Sequence, residues 1–180
     1  LSEQHQVYTH IGSVFEAPTT TELINNPSGT GGFNPRLNAQ TSLSSELGFR
    51  GNSAGFQYDT AVFFIRTWDE ITPFELASSP GRAFFRNTGQ SRRIGVETRV
   101  ATPEWKGLRG EISYTFSNFE FEKYLVSDAN LKGNFFPGIP THRWEGLLRY
   151  AHPLGFFGQL HVQRVGEFFV NDANTATNQA

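Results

Sequence analysis

The side chains best equipped to hold a ligand are cations set beside aromatic rings. Arg82, Phe84, Phe85 and Arg86 follow Pro80-Gly81, and Lys132, Phe135, Phe136 and His142 gather in a second Gly/Pro-containing stretch. A guanidinium or ammonium next to an aromatic face can hold an anionic, ring-bearing compound or metal chelate by charge and cation–π contact. The same rings would also serve as an aromatic belt at an interface. A second charged set is Arg93, Glu97, Arg99, Arg109, Glu111, Arg143, Glu145 and Arg149. These fall on alternate positions with signs that can pair between neighbouring strands, which reads as one charged face of a sheet.

Chemistry of other kinds finds little support. His5, His10, His142, His152 and His161 lack metal-ligand spacing, and no H-E-x-x-H or G-x-S-x-G occurs. Gly29-Thr30-Gly31-Gly32 precedes no strand-to-helix pattern and reads as a loop. No cofactor, resident metal or enzyme activity is expected. The formal net charge is −2, which leaves no basic footprint for nucleic acid. There is no cysteine, hence no disulfide framework. The chain opens on LSEQHQ and closes on NDANTATNQA, and both ends are expected to continue into a longer protein.

The elements that must position these residues are strands. Only 37% of the 180 residues are hydrophobic, yet 18 are Phe and another 18 are Gly. Aromatic residues suit a pleated surface, and no apolar run approaches the roughly 20 residues of a membrane-spanning helix. Seven strand-like segments are predicted, at about 6–15, 41–51, 56–67, 83–101, 107–122, 141–152 and 156–170. Ile94, Val96, Thr98 and Val100 alternate with Gly95, Glu97 and Arg99; Leu108, Ile112, Tyr114 and Phe116 alternate with Arg109, Glu111, Ser113 and Thr115. Such alternation makes a strand with two unlike faces.

The connections alternate between long (16–40, 68–82, 123–140) and short (52–55, 102–106, 153–155). In an antiparallel meander this places every long loop at one end. A soluble β-sandwich binding module has no reason to sort its loops so, and its strands run about five or six residues. A transmembrane β-barrel does: its turns are short on one side, its loops long on the other, and its strands apolar outward and polar inward. Trp68, Trp144 and Tyr124 near the long loops, and Trp105, Tyr150 and Phe156 near the short turns, would form its aromatic belts. A passive porin would share this pattern. Bacterial barrels have at least about eight strands, so seven make an open piece of one.

Short motifs then point to a family. Val14-Phe15-Glu16-Ala17-Pro18-Thr19 with Thr21-Glu22-Leu23, Asn34-Pro35-Arg36-Leu37, Ser45-Glu46-Leu47-Gly48-Phe49, Ala61-Val62-Phe63-Phe64 with Trp68-Asp69-Glu70-Ile71, Asn87-Thr88-Gly89 with Arg93-Ile94-Gly95-Val96-Glu97, Ile112-Ser113-Tyr114-Thr115-Phe116, and Ile139-Pro140-Thr141-His142-Arg143 stand in order. Together they resemble the C-terminal β-barrel portion of a TonB-dependent outer-membrane receptor. One departure is Asn38-Ala39-Gln40, where the family usually carries Pro-Glu. The resemblance implies an all-β, antiparallel, up-and-down transmembrane barrel of about 22 strands, of which residues 1–180 are a partial wall of about seven. Plug, TonB box and final strands would lie elsewhere. It implies active uptake of a ferric siderophore or similar scarce ligand at the cell outer membrane of a Gram-negative bacterium, iron arriving only within the chelate. Partners would be outer-membrane lipid, the plug domain and the TonB complex. The eight loop residues would bind ligand at the extracellular rim, and the eight wall charges would line the pore.

Overall fold

A computed structural model describes residues 4–29, 32–126 and 129–178; Thr30 and Gly31 of the Gly-rich stretch lie outside the described residues. Along the chain come β1 (His5–Glu16), a short helix α1 (Thr20–Ile24), β2 (Gln40–Ser53), β3 (Phe56–Trp68), β4 (Ile71–Leu76), β5 (Ser79–Asn87), β6 (Gln90–Ala101), β7 (Leu108–Lys123), β8 (Leu125–Val126), β9 (Ala129–Asn130), β10 (His142–Ala151) and β11 (Phe157–Val165). Seven of the strands form one antiparallel sheet in the order β1-β2-β3-β6-β7-β10-β11. Spatial order therefore follows chain order, as in an up-and-down barrel wall. No described helix is long and apolar enough to cross a membrane.

Register decides which residues share a face. Across the sheet, Thr9, Leu47, Val62, Val96, Phe116 and His142 stand opposite one another in succession. A row three residues along holds Gln6, Arg50, Asp59, Arg99, Ser113, Glu145 and Gln163. Because side chains alternate along a strand, one face is apolar and the other polar. Among the described residues no second layer covers the apolar face: Leu47 is 59% exposed and Val62 50%. Buried side chains instead gather where the long connections meet, at Leu37, Phe84, Phe121 and Tyr124.

The long connections (17–39, 69–89, 124–141) alternate with short ones (54–55, 102–107, 152–156), as expected. Two strand boundaries differ from the pattern reading. Residues 83–101 are not one strand. Asp69 leaves the sheet at φ 55° and Gly89 returns to it at φ 109°. Asn87 closes the neck by donating to the carbonyls of Asp69 (2.6 Å) and Asn38 (2.9 Å). What lies between is a hairpin, β4 against β5, so this long loop is itself built of strands. Apolar alternation in 83–87 belongs to that hairpin and cannot be told from the wall strand by periodicity. At the other end, β11 stops at Val165, where the Gly166 N–H caps the His142 carbonyl at 2.8 Å. Residues 166–178 then fold back, with a bridge between Phe169 and Thr177.

The polar face accommodates large rings above glycines. A Cβ on Gly95 would stand 2.3 Å from the Phe63 ring and 2.8 Å from the Phe116 carbonyl, and one on Gly48 would meet the Tyr8 ring. Phe63 uses this space to reach Phe119 edge-on, 6.2 Å between centroids. The glycine of the R-x-G-V-E motif is thus a seat for a neighbouring strand's ring. Gly95→Ala is expected to cost about 1–3 kcal/mol by overpacking, and less than that when Phe63 is also changed to Leu. Urea unfolding of the full-length protein in lipid would measure both. Strictly additive costs would refute the seat.

Candidate functional site

The loop end is assembled from local signals. Thr19 caps α1: its side chain accepts from the Glu22 N–H (3.4 Å), and Glu22 Oε2 accepts from the Thr19 N–H (2.6 Å). This is a capping box, which satisfies two otherwise orphaned donors. Asn34, buried in the N-P-x-L motif, donates through its backbone to the Leu23 carbonyl (2.7 Å) and through Nδ2 to the Phe85 carbonyl (3.4 Å). The first long connection is thereby fastened to the β4–β5 hairpin. Arg82 strengthens the link with two contacts to Asn25 Oδ1, at 3.2 and 3.0 Å.

From Arg82 inward runs a column of cations and rings. Arg82 lies over Phe84 at 5.0 Å from its centroid, and Phe84 meets Phe74 at 6.0 Å. Arg86 is held between Phe74 (4.7 Å) and Tyr124 (5.7 Å). Tyr124 packs on Phe121 (4.5 Å), Phe121 stacks on Phe136 (4.3 Å), and Arg93 stands over Phe136 (5.2 Å). Arg93 is ion-paired to Glu70, which is buried. Each desolvated cation–ring contact contributes on the order of 1–2 kcal/mol. The column joins an exposed rim residue to a charge on the sheet wall.

Tyr124 is its hub. It is fully buried, so it is not part of an aromatic belt as its position near a long loop suggests. Its hydroxyl donates to Asp172 Oδ2 (2.7 Å) and accepts from Arg86 Nη2 (3.4 Å). Asn174 adds a second clasp, accepting from the Phe135 N–H (2.6 Å) and donating to the Phe135 carbonyl (2.9 Å), while Phe135 stacks on Phe169. Three connections are bound together here. Burial, then the bond to Asp172, holds the Tyr124 proton more tightly than an ordinary phenol; Arg86 opposes this.

The residues singled out in the sequence thus separate. Arg82, Phe84, Arg86 and Phe136 join the column. Phe85 lies opposite Pro73 on the hairpin's other face, half-buried. Lys132 is exposed on a cleft shared with Asn130, Lys123 and Glu122. His142 lies on the apolar face, where Nδ1 shares a hydrogen bond with the Tyr114 hydroxyl (2.9 Å) and its ring packs on Tyr114 and Phe116. The eight charges share the polar face. Arg99 grips Glu111 in a two-pronged pair (2.7 and 2.6 Å), Arg143 meets Glu145 on its own strand (2.5 Å), and Arg109 donates to Gln57 (2.7 Å). Glu97 lines a recess of about 390 Å³ with Tyr8, Glu46 and Asp59, and Arg149 lines one of about 540 Å³ with Arg109. Sequence reading missed Phe74, Phe121, Tyr124 and Asp172 as partners in the column.

The family model of TonB dependent receptor-like β-barrels matches residues 1–180. The chain belongs to this family. Members of the TonB-dependent receptor family are transporters, not enzymes. Solved structures with the same fold include the copper transporter OprC, with a TM-score of 0.72 and 15% identity over 93% of this chain. The ferric yersiniabactin uptake receptor FyuA from Yersinia pestis gives 0.71 and 20% over 98%. BauA, the ferric preacinetobactin receptor from Acinetobacter baumannii, gives 0.66 and 16% over 98%. The chain spans 25%, 26% and 26% of those chains, respectively. It is a segment of a TonB-dependent receptor barrel wall.

Tyr124→Phe should loosen the clasp by about 1–3 kcal/mol, since Asp172 and Arg86 lose a buried partner. A phenol whose folded pKa is raised contributes stability that is complete below its ordinary value near 10.0 and is lost as pH rises through the folded value. Limited proteolysis of connections 124–141 and 166–178 in the full-length receptor should therefore accelerate above about pH 10. The Phe variant should be faster throughout and lack that step.

Proposed function

We propose that this segment belongs to an outer-membrane receptor of a Gram-negative bacterium that actively imports a ferric siderophore or similar scarce chelate, energised through TonB. The observation that carries the reading is the cation–aromatic column, set at the end of the sheet where every long connection lies. Its outer member, Arg82, is exposed and cationic. Arg82 and the half-exposed Phe85 contact the anionic chelate, while Phe84, Arg86 and Phe136 hold them in place. Phe135 supports the same loops through its clasp with Asn174. Lys132 and His142 lie off this line.

The two faces of the wall support the rest. The apolar face meets lipid, and in β3 and β6 its boundary is legible: Phe64 and Ile94 form one row, and Arg66 and Arg92 the next above it, while Arg164 on β11, opposite Trp144, is a charge lower on this face. An arginine below that level would cost roughly 2–4 kcal/mol at the bilayer midplane. The polar face, with Arg93, Glu97, Arg99, Arg109, Glu111, Arg143, Glu145 and Arg149, lines the pore and meets the plug domain. The TonB complex engages a part of the receptor outside this chain. The names of structurally similar proteins, two ferric-siderophore receptors and a copper transporter, favour a metal chelate as cargo.

Cells producing the full-length receptor should accumulate a labelled ferric chelate, and a protonophore should abolish this. Arg82→Ala should weaken chelate binding about tenfold at unchanged receptor abundance. Accumulation that persists after the protonophore would instead indicate a passive pore.

A further inference from the structure

The short-turn end of the polar face carries a second grouping of cations and a ring, far from the column. Arg109 on β7 and Arg149 on β10 stand directly opposite one another in the ladder, and parity puts both on the polar face. Like charges so placed repel, and the pair costs stability unless something negative lies between them. The carboxylate best placed to do so is already committed: Glu111, two residues from Arg109 on the same face, has both oxygens gripped by Arg99 (2.7 and 2.6 Å). Among the described residues neither Arg109 nor Arg149 is ion-paired. Arg109 turns aside to donate to the Gln57 side chain (2.7 Å), and Arg149 makes no hydrogen bond among the described residues.

Both arginines line a recess of about 540 Å³ together with Phe157 and Gln159 of β11. Phe157 shares the parity of Gln159, His161 and Gln163, so its ring is on the polar face, where it is 88% exposed. A ring left bare there gains little from the fold. Glu104, exposed on the short connection, also lines the recess but pairs with neither arginine. The turn behind is held by the Ala151 N–H, which donates to the Gly107 carbonyl at 2.8 Å. On β7, Arg109 lies ten positions below Phe119, the partner of Arg93, which is about 34 Å of strand. The recess is therefore separate from the column.

We propose that Arg109, Arg149 and Phe157 form a second binding site for an anionic, ring-bearing compound: the cargo itself, met on the pore wall near the short-turn end after it has left the column. The proposal rests on the transport reading above, because it is that reading which makes the polar face a passage. Guanidinium forks on opposing strands suit a carboxylate held between them, and Phe157 offers a face to the ring. The chemistry repeats that of the rim, a cation beside a ring, without the packing that encloses Arg86 and Arg93. An acidic side chain of the plug, or inorganic phosphate, would satisfy the arginines but leave Phe157 bare. Glu104 at the edge repels the same anion, which favours release.

The test places a reporter, Gln159→Cys, in the full-length receptor in detergent, in a background otherwise free of reactive thiols. The rate of its modification by an anionic methanethiosulfonate is measured. Millimolar benzoate should slow labelling about fivefold, whereas acetate (charge without ring) and benzyl alcohol (ring without charge) should slow it less than about twofold. Benzoate protection should persist with Arg82→Ala, which weakens the rim site. It should vanish with Arg149→Gln or Phe157→Ala. Arg149→Lys, which keeps the charge but not the planar fork, should retain about half of it and serves should the glutamine variant not fold. Equal protection by benzoate and acetate, loss of protection with Arg82→Ala, or unchanged protection in both recess variants would each overturn the site. So would a cysteine that benzoate never protects, as when a plug carboxylate fills the recess. Labelling is read without transport, so the two readings fail separately. Protonophore-sensitive chelate uptake without benzoate protection sinks this proposal alone. Protection in a receptor that accumulates no chelate sinks the transport reading alone and leaves the recess a site for a ring-bearing anion.

Discussion

A slip of one residue between β3 and β6 would turn Glu97 and Arg99 toward the side of Val62 and Phe64, and Val96 toward Asp59. Everything else in this wall segment depends on that slip not occurring. The sheet is a single layer, so neither face can hide a misplaced charge behind a second one. Mostly apolar residues on one face and mostly polar residues on the other make one register better than its neighbours, although Trp144 stands opposite Arg164 and Arg93 opposite Phe119. Phe63 seated over Gly95 and Tyr8 over Gly48 reinforce it, because each ring finds its glycine only in that alignment.

A wall that buries few large side chains within itself must stabilise its loops some other way. Here the long connections carry their own packing: a capped helix turn, a hairpin closed by Asn87, and the cation–ring column that ends on Arg93 of the wall. Arginine suits this role because its planar, weakly hydrated head stacks on rings and still donates hydrogen bonds at its edge. Arg86 does both, between Phe74 and Tyr124 and toward the Tyr124 hydroxyl. The consequence for function is a division of labour. The inner cations are enclosed by the fold, whereas the outermost, Arg82, is exposed although it too is tied to Asn25, and it is the one proposed to meet cargo.

The outward face has its own order. Rows of Val, Phe and Ile give way within one step to Arg66 and Arg92, each with a glutamate beside it. On the polar face, charges appear at most levels. The proposed contact of the outward face with hydrocarbon over part of its height accounts for the difference, since a charge there has no solvent to stabilise it.

Much of this wall is legible in the residues alone. Period-two alternation assigns the eight wall charges to one face, and the sorted connection lengths imply an up-and-down wall. The same parity puts His142 with Trp144 and away from Arg143, although its place beside a long loop suggests ligand contact. Local chemistry marks the N-P-x-L turn, whereas the short helix α1 and its Thr19–Glu22 cap are not among the elements expected from the sequence. What requires tertiary structure are contacts between residues far apart in the chain. Nothing near Tyr124 announces Asp172, 48 positions later. Nothing in Phe84 and Phe85 says that one is buried in the column and the other turned away from it. The division at Gly89 is also hidden, since a hairpin strand and a wall strand share one period. Alternation is a property of a single strand and is written in its residues. Which loops close over which depends on where the sheet brings their ends, and only the assembled ladder decides that.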